Sequence, residues 1–127
     1  MSYCFTKTVS YSWTEALDRT NAALANHGFG VLTTIDVQAT LKKKLDVDMD
    51  KYTILGACNP KLAHQAITGE PRIGVMLPCN VILRGVMGGV EISAVNAQTS
   101  MQGVDNPGLG EIAGKVTGLL QDVLAEI

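Results

Sequence analysis

Apolar residues alternate with polar ones at the start of the chain, then recur every three or four, and the two periods keep exchanging along its length. Tyr3 to Ser10 is rich in Tyr, Phe, Thr and Val and predicts a strand with Phe5 and Val9 on one face. Ser12-Trp13-Thr14-Glu15 then has the form of a capping box, the Ser12 hydroxyl accepting from the Glu15 amide and the Glu15 carboxylate reaching back to the Ser12 amide. The helix it opens places Trp13, Ala16, Leu17, Thr20 and Leu24 on one stripe. Gly28 suits the position just past its end, where a left-handed backbone carries no Cβ penalty, and His27 in the last turn reads as a surface residue.

Phe29 to Val37 alternates as a second strand. Asp36 at its end caps or precedes a short helix, Gln38 to Leu45, with Leu41 and Leu45 inward. A strand follows at Tyr52 to Cys58, a helix at Pro60 to Thr68 and a strand at Ile73 to Leu83. Gly85, Gly88 and Gly89 mark a turn, and Val90 to Val95 returns as a hairpin partner. Residues 96–106 form a loop with at most one helical turn. Asn106-Pro107 then starts a long amphipathic helix through Leu109, Ile112, Ala113, Val116, Leu120, Val123, Leu124 and Ile127. Its glycines, Gly110, Gly114 and Gly118, fall at i, i+4 and i+8, which reflects either a close backbone approach or chance.

This order predicts an α+β fold: a two-layer domain with a single mixed sheet of about five strands and its helices on one face. The strands carry apolar residues on both parities, notably Val75 and Leu77 against Met76 and Ile82. A second apolar sheet face needs a cover, so a homodimer is expected.

Length makes residues 1–127 a single domain, and 46% apolar against 17% charged residues supports a packed core. With only 5% aromatics, that core rests on Val, Ile, Leu and Ala. A net charge of −2 argues against a nucleic-acid or anionic-membrane surface. No signal peptide is discernible, and no apolar run approaches the roughly 20 residues of a membrane helix. The three cysteines lack zinc-ribbon spacing, and a cytoplasmic, reduced protein without metal or cofactor is expected.

The candidate chemistry concentrates between Ile54 and Val81, where Cys-Asn occurs twice, as Cys58-Asn59-Pro60 and Pro78-Cys79-Asn80. Asn59 and Pro60 suit the N-cap and first position of a helix whatever else they do. The helix between the two dipeptides allows their strands to run parallel, bringing both thiols to one sheet edge. The leading expectation is a ligand-binding set of Cys58, Asn59, His64, Cys79, Asn80 and Asp36. It would hold a small anionic ligand, without catalysis, beside the amides of the helix start. Two alternatives stand beside it. One is a thiol-dependent redox or soft-metal protein using Cys58 and Cys79, with His64 as a third ligand. The other is a structural homodimer module acting through a protein partner. No nucleophile–base pair, paired carboxylates or phosphate loop is present, which weighs against an enzyme. Lys42-Lys43-Lys44 reads as a solvated helix end, and Asp46 to Asp50 lacks the glycine and distal glutamate of a calcium loop.

These segments also carry a family resemblance. Gly28-Phe29-Gly30-Val31-Leu32-Thr33, Tyr52-Thr53-Ile54-Leu55-Gly56-Ala57-Cys58-Asn59-Pro60, Leu62-Ala63-His64 and Leu77-Pro78-Cys79-Asn80-Val81 resemble the bacterial and archaeal family known as domain of unknown function 302. The resemblance implies an α+β domain similar to the TATA-binding-protein-like group, usually dimeric, and no particular activity. Two departures are visible: Thr34 stands where the family often has Glu, and Asn96-Ala97 where Asp-Pro is common.

Overall fold

The computed structural model describes residues 2–127. Five strands, β1 (Cys4–Val9), β2 (Gly30–Asp36), β3 (Tyr52–Cys58), β4 (Cys79–Val86) and β5 (Gly89–Val95), form one sheet in the order β1-β5-β4-β3-β2. The helices are α1 (Trp13–Asn26), α2 (Val37–Leu45), α3 (Pro60–Gly69), the four-residue α4 (Ala97–Ser100) and α5 (Gly108–Glu126).

Local chemistry accounts for most of these boundaries. Ser12 Oγ accepts from the Glu15 amide at 3.2 Å, as a capping box requires. The reciprocal half is absent, because the Glu15 carboxylate is taken by Arg19 one turn on. α1 ends in a Schellman motif: Phe29 N–H donates to Leu24 O, Gly28 N–H donates to Ala25 O, and Gly28 has a φ of 83°. Asp36 Oδ1 accepts from the Ala39 amide and caps α2. Asn106 Oδ1 accepts from Gly108 N–H, so α5 begins one residue after the predicted point. Of Gly110, Gly114 and Gly118, only Gly114 has a near neighbour, Gln98 of α4; nothing lies within 4 Å of a Cβ placed at Gly110 or Gly118, so they do not mark a close approach.

Two expectations about the sheet are corrected. Every strand pair is antiparallel, so the sheet is not mixed and the two Cys-bearing strands do not run parallel. The cause lies in the stretch read as the start of β4. Residues Pro71–Met76 form a 3-10 helix, packed against α3, and Leu77-Pro78 leads into a strand that begins only at Cys79. α3 carries the chain away from the end of β3 and this return brings it back to the same end, so β4 must run opposite to β3.

The core lies between one sheet face and the helices. Leu55 and Ala57 of β3, Val81 and Leu83 of β4, and Ile92 and Ala94 of β5 are buried against α1 and α5, whose Leu24, Leu120 and Val123 are equally buried. α2 departs from its prediction: it buries no residue, and Leu45 is 66% exposed instead of facing inward. Lys42 on the same helix pairs with Asp46 at 2.9 Å and Asp48 at 3.1 Å, so the lysine run is partly neutralised by its own acidic link. Among the described residues no helix is seen to bury the other sheet face, where Ile35, Asn80 and Arg84 are exposed. Across it Ile35, Ile54 and Ile82 stand directly opposite one another on β2, β3 and β4. Next to them Arg84 and Glu91 form a two-pronged ion pair, with contacts of 3.0 and 2.9 Å.

Candidate functional site

The end of the sheet where β3 stops and β4 starts is where the candidate residues gather. Asn59 caps α3, its Oδ1 accepting from Leu62 N–H at 3.2 Å, and the Ala63 amide bonds to Asn59 O. Pro60 has no N–H, so Lys61 carries the only amide of this first turn without a protein partner among the described residues. The anion site expected from free amides on Lys61 and Leu62 is thereby reduced to one donor.

Antiparallel pairing sets Ala57 opposite Cys79 and Gly56 opposite Asn80. Residues opposite one another share a sheet face, so Cys79 lies with buried Ala57 on the helix side and Asn80 lies on the open side. There Asn80 is exposed, among Tyr52, Ile82 and Arg84. The side-chain amides of Asn59 and Asn80 therefore lie apart. His64 faces solvent on α3, its carbonyl accepting from the Thr68 hydroxyl. Asp36 caps α2 at the far end of β2 from Gly30, which pairs with Cys58. Of the six candidate residues, Cys58, Asn59 and Cys79 come together, while His64, Asn80 and Asp36 stand apart.

What brings these three together is a cavity of about 330 Å³ beneath α3. Leu62, Ala63, Ala66 and Ile67 form its roof, Ala57, Cys58 and Cys79 its floor, and Ile112 and Val116 of α5 one wall. Phe29 and Leu32 line the side toward β2, and Gly74, Leu77 and Pro78 the side of the return segment. The space exists because several of these positions, Ala57, Ala63, Ala66 and Gly74, have side chains too short to meet across it. Among the described residues, no charged side chain lines it. The apolar lining residues gave no chemical signal in the sequence. The small-residue stripe of α3 is the one feature that points to them.

Burial pushes the Cys79 thiol up to about 11, and the neighbouring Cys58 adds to the rise. At neutral pH it is a protonated thiol in an apolar wall, the opposite of an activated nucleophile or metal ligand. Among the described residues no group of three or more His, Cys, Asp or Glu side chains is placed to hold a metal ion. All three cysteines are free.

Comparison with known proteins agrees with this architecture. The model of the domain of unknown function DUF302 matches residues 5–127. The chain belongs to the DUF302 family. A solved DUF302 structure, an uncharacterized conserved protein from Bacillus stearothermophilus, is 27% identical to it, with 99% of this chain and 98% of that one covered at a TM-score of 0.92. No curated protein matches the chain. Among the described residues no helix is long and apolar enough to cross a membrane.

Proposed function

We propose that this DUF302 domain is a small-molecule binding module and takes its ligand into the cavity beneath α3. The observation that carries the reading is an uncharged, open-mouthed cavity of about 330 Å³ at the Cys58/Asn59/Cys79 end of the sheet. Pockets of a few hundred cubic ångströms lined by apolar groups, with a few placed polar ones, are the usual form of a ligand site. The ligand class shifts accordingly, from an anion held by amides to a molecule with an apolar body. A thiol-redox or soft-metal role is disfavoured by the protonated Cys79 and by His64, which is exposed and does not line the cavity. The test is titration of ethylbenzene followed by thermal melting. The wild type should gain stability as ligand saturates it, and Ala63→Phe, which fills the cavity from a half-buried helix position, should gain none. Equal responses in the two proteins, or none in either, would overturn the reading.

A second reading concerns assembly. The open sheet face carries the Ile35–Ile54–Ile82 ladder, flanked by the Arg84–Glu91 pair on one side and Asn80 on the other. An apolar centre with a polar rim of both signs is suited to meeting a second copy of itself about a two-fold axis. The homodimer this reading requires should show a solution mass twice the 13.5 kDa of one chain. Ile82→Lys should reduce it to the monomer; a wild-type monomer at all concentrations would remove the reading.

A further inference from the structure

The ligand's chemical class follows from three features of the cavity, and rests on the cavity being a ligand site as proposed above. The first is its lining. No Lys, Arg, His, Asp or Glu contributes to it among the described residues, so a charged group carried inside would lose its water and find no counter-ion. The second is its mouth. Leu32 and Ile67 belong to the lining and are themselves 67% and 44% exposed, so the entrance offers apolar surface where a charged head would need a partner. Val75, 85% exposed on the adjacent return segment, extends the same apolar surface. The third is a polar handle, the Asn59 side chain. The Leu62 amide can only donate, so the oxygen of the Asn59 side chain must face it, and the Nδ2 amino group is left over. That group has no protein partner among the described residues, and it lies close above Gly28, 3.1 Å from where a Cβ would stand. Asn59 itself lines the cavity. The same residue thus caps α3 with one atom and offers a hydrogen-bond donor with another.

We propose that the ligand is an uncharged lipophile of on the order of ten non-hydrogen atoms with one hydrogen-bond acceptor, met by Asn59 Nδ2. The size follows from a cavity of about 330 Å³ at about 30 Å³ per atom, the share of one water in the liquid. Its apolar body lies between the α3 roof and the Cys79 floor, and its acceptor, a carbonyl or ether oxygen, lies at the Asn59 end.

Isothermal titration with four probes of similar size tests this: 2-octanone, octanoate, octylammonium and ethylbenzene. The ketone and ethylbenzene should bind, and both charged probes should bind at least tenfold more weakly than the ketone. Shortening the ketone by one methylene should weaken it about fourfold. Asn59→Asp tests the handle without removing the cap, because Asp accepts from the Leu62 amide as Asn does but offers no donor. In that variant 2-octanone should weaken two- to tenfold and ethylbenzene should be unchanged, with the melting temperature confirming that α3 is intact. Octanoate or octylammonium binding as tightly as the ketone would overturn the uncharged class while leaving the cavity a ligand site. Equal weakening of ketone and ethylbenzene by Asn59→Asp would overturn the handle. Failure of all four probes would instead remove the binding reading on which the class depends.

Discussion

The two Cys-Asn dipeptides are the same in sequence and opposite in structure. Cys58-Asn59 ends a strand and enters a helix; Cys79-Asn80 follows an irregular return and begins a strand. At the first, Asn59 leaves the sheet and turns its amide into a helix cap. At the second, Asn80 stays in the sheet, and strand alternation throws it to the face away from Cys79. The shared motif therefore yields one site from three of its four residues. Identical residue pairs acquire different work from the element they sit in.

The largest expected effect separates the Cys79 floor from the rest of the site. In the folded chain this thiol keeps its proton up to about pH 11, against an ordinary value of 9.0 when the chain is unfolded. Between those values the folded state binds more protons than the unfolded one, so stability is full below the ordinary value and falls as the pH rises through this window. The loss should reach about 2–3 kcal/mol by the upper end. Urea melts of wild type and Cys79→Ala from pH 8 to 11 check it. Their difference should shrink steadily with rising pH, and a constant difference would contradict the buried-thiol assignment.

Next in size is Gly56, which stands opposite Asn80 on the open face. A Cβ there would collide with Thr33 Oγ1 and come within 2.8 Å of Pro78 Cγ. Overpacking of this kind costs about 1–3 kcal/mol, so Gly56→Ala should melt correspondingly lower in denaturant. The pair Gly56→Ala and Thr33→Ala should recover part of that loss, because the hydroxyl is one of the two atoms in the way. Absence of any recovery would place the strain on Pro78 alone. Asn59→Ala should come third, losing the α3 cap at about 0.5–2 kcal/mol by the same chemical melts.

These contrasts also show what was legible beforehand. The Asn59-Pro60 helix start, the Gly28 helix stop and the Asp36 position could all be read, because each rests on residues within one turn of one another. The direction of β4 could not. It depends on Pro71–Met76 folding back on α3, and Ile73-Gly74-Val75-Met76 reads equally as strand. Parallel strands would bring Cys79 and Asn80 together beside Cys58; the antiparallel register keeps Cys79 there and sends Asn80 to the open face, so topology decides the chemistry. The cavity was hidden for a different reason. Its walls are mostly apolar residues drawn from several elements, and a space between such residues exists only after they have packed. Cys58, Asn59 and Cys79 were found because they carry polar atoms; the residues that give the site its shape carry none.

The smallest expected effect is the sharpest on the comparison itself. Asn80→Ala removes a side chain that is exposed and makes no hydrogen bond to the protein among the described residues. Surface substitutions of this kind stay within about 0.5 kcal/mol, so its denaturation midpoint should match the wild type. Ethylbenzene and 2-octanone should bind unchanged, since Asn80 lies on the other side of the sheet from the cavity floor. Asn59→Ala should differ from it on both counts, in stability through the cap and in ketone affinity through Nδ2. If Asn80→Ala instead weakened the ketone while Asn59→Ala did not, the two dipeptides would have exchanged roles. The antiparallel register that separates them would then be wrong. Any change confined to the self-association of Asn80→Ala would assign this residue to the open face and its second copy, where the Ile35–Ile54–Ile82 ladder lies beside it.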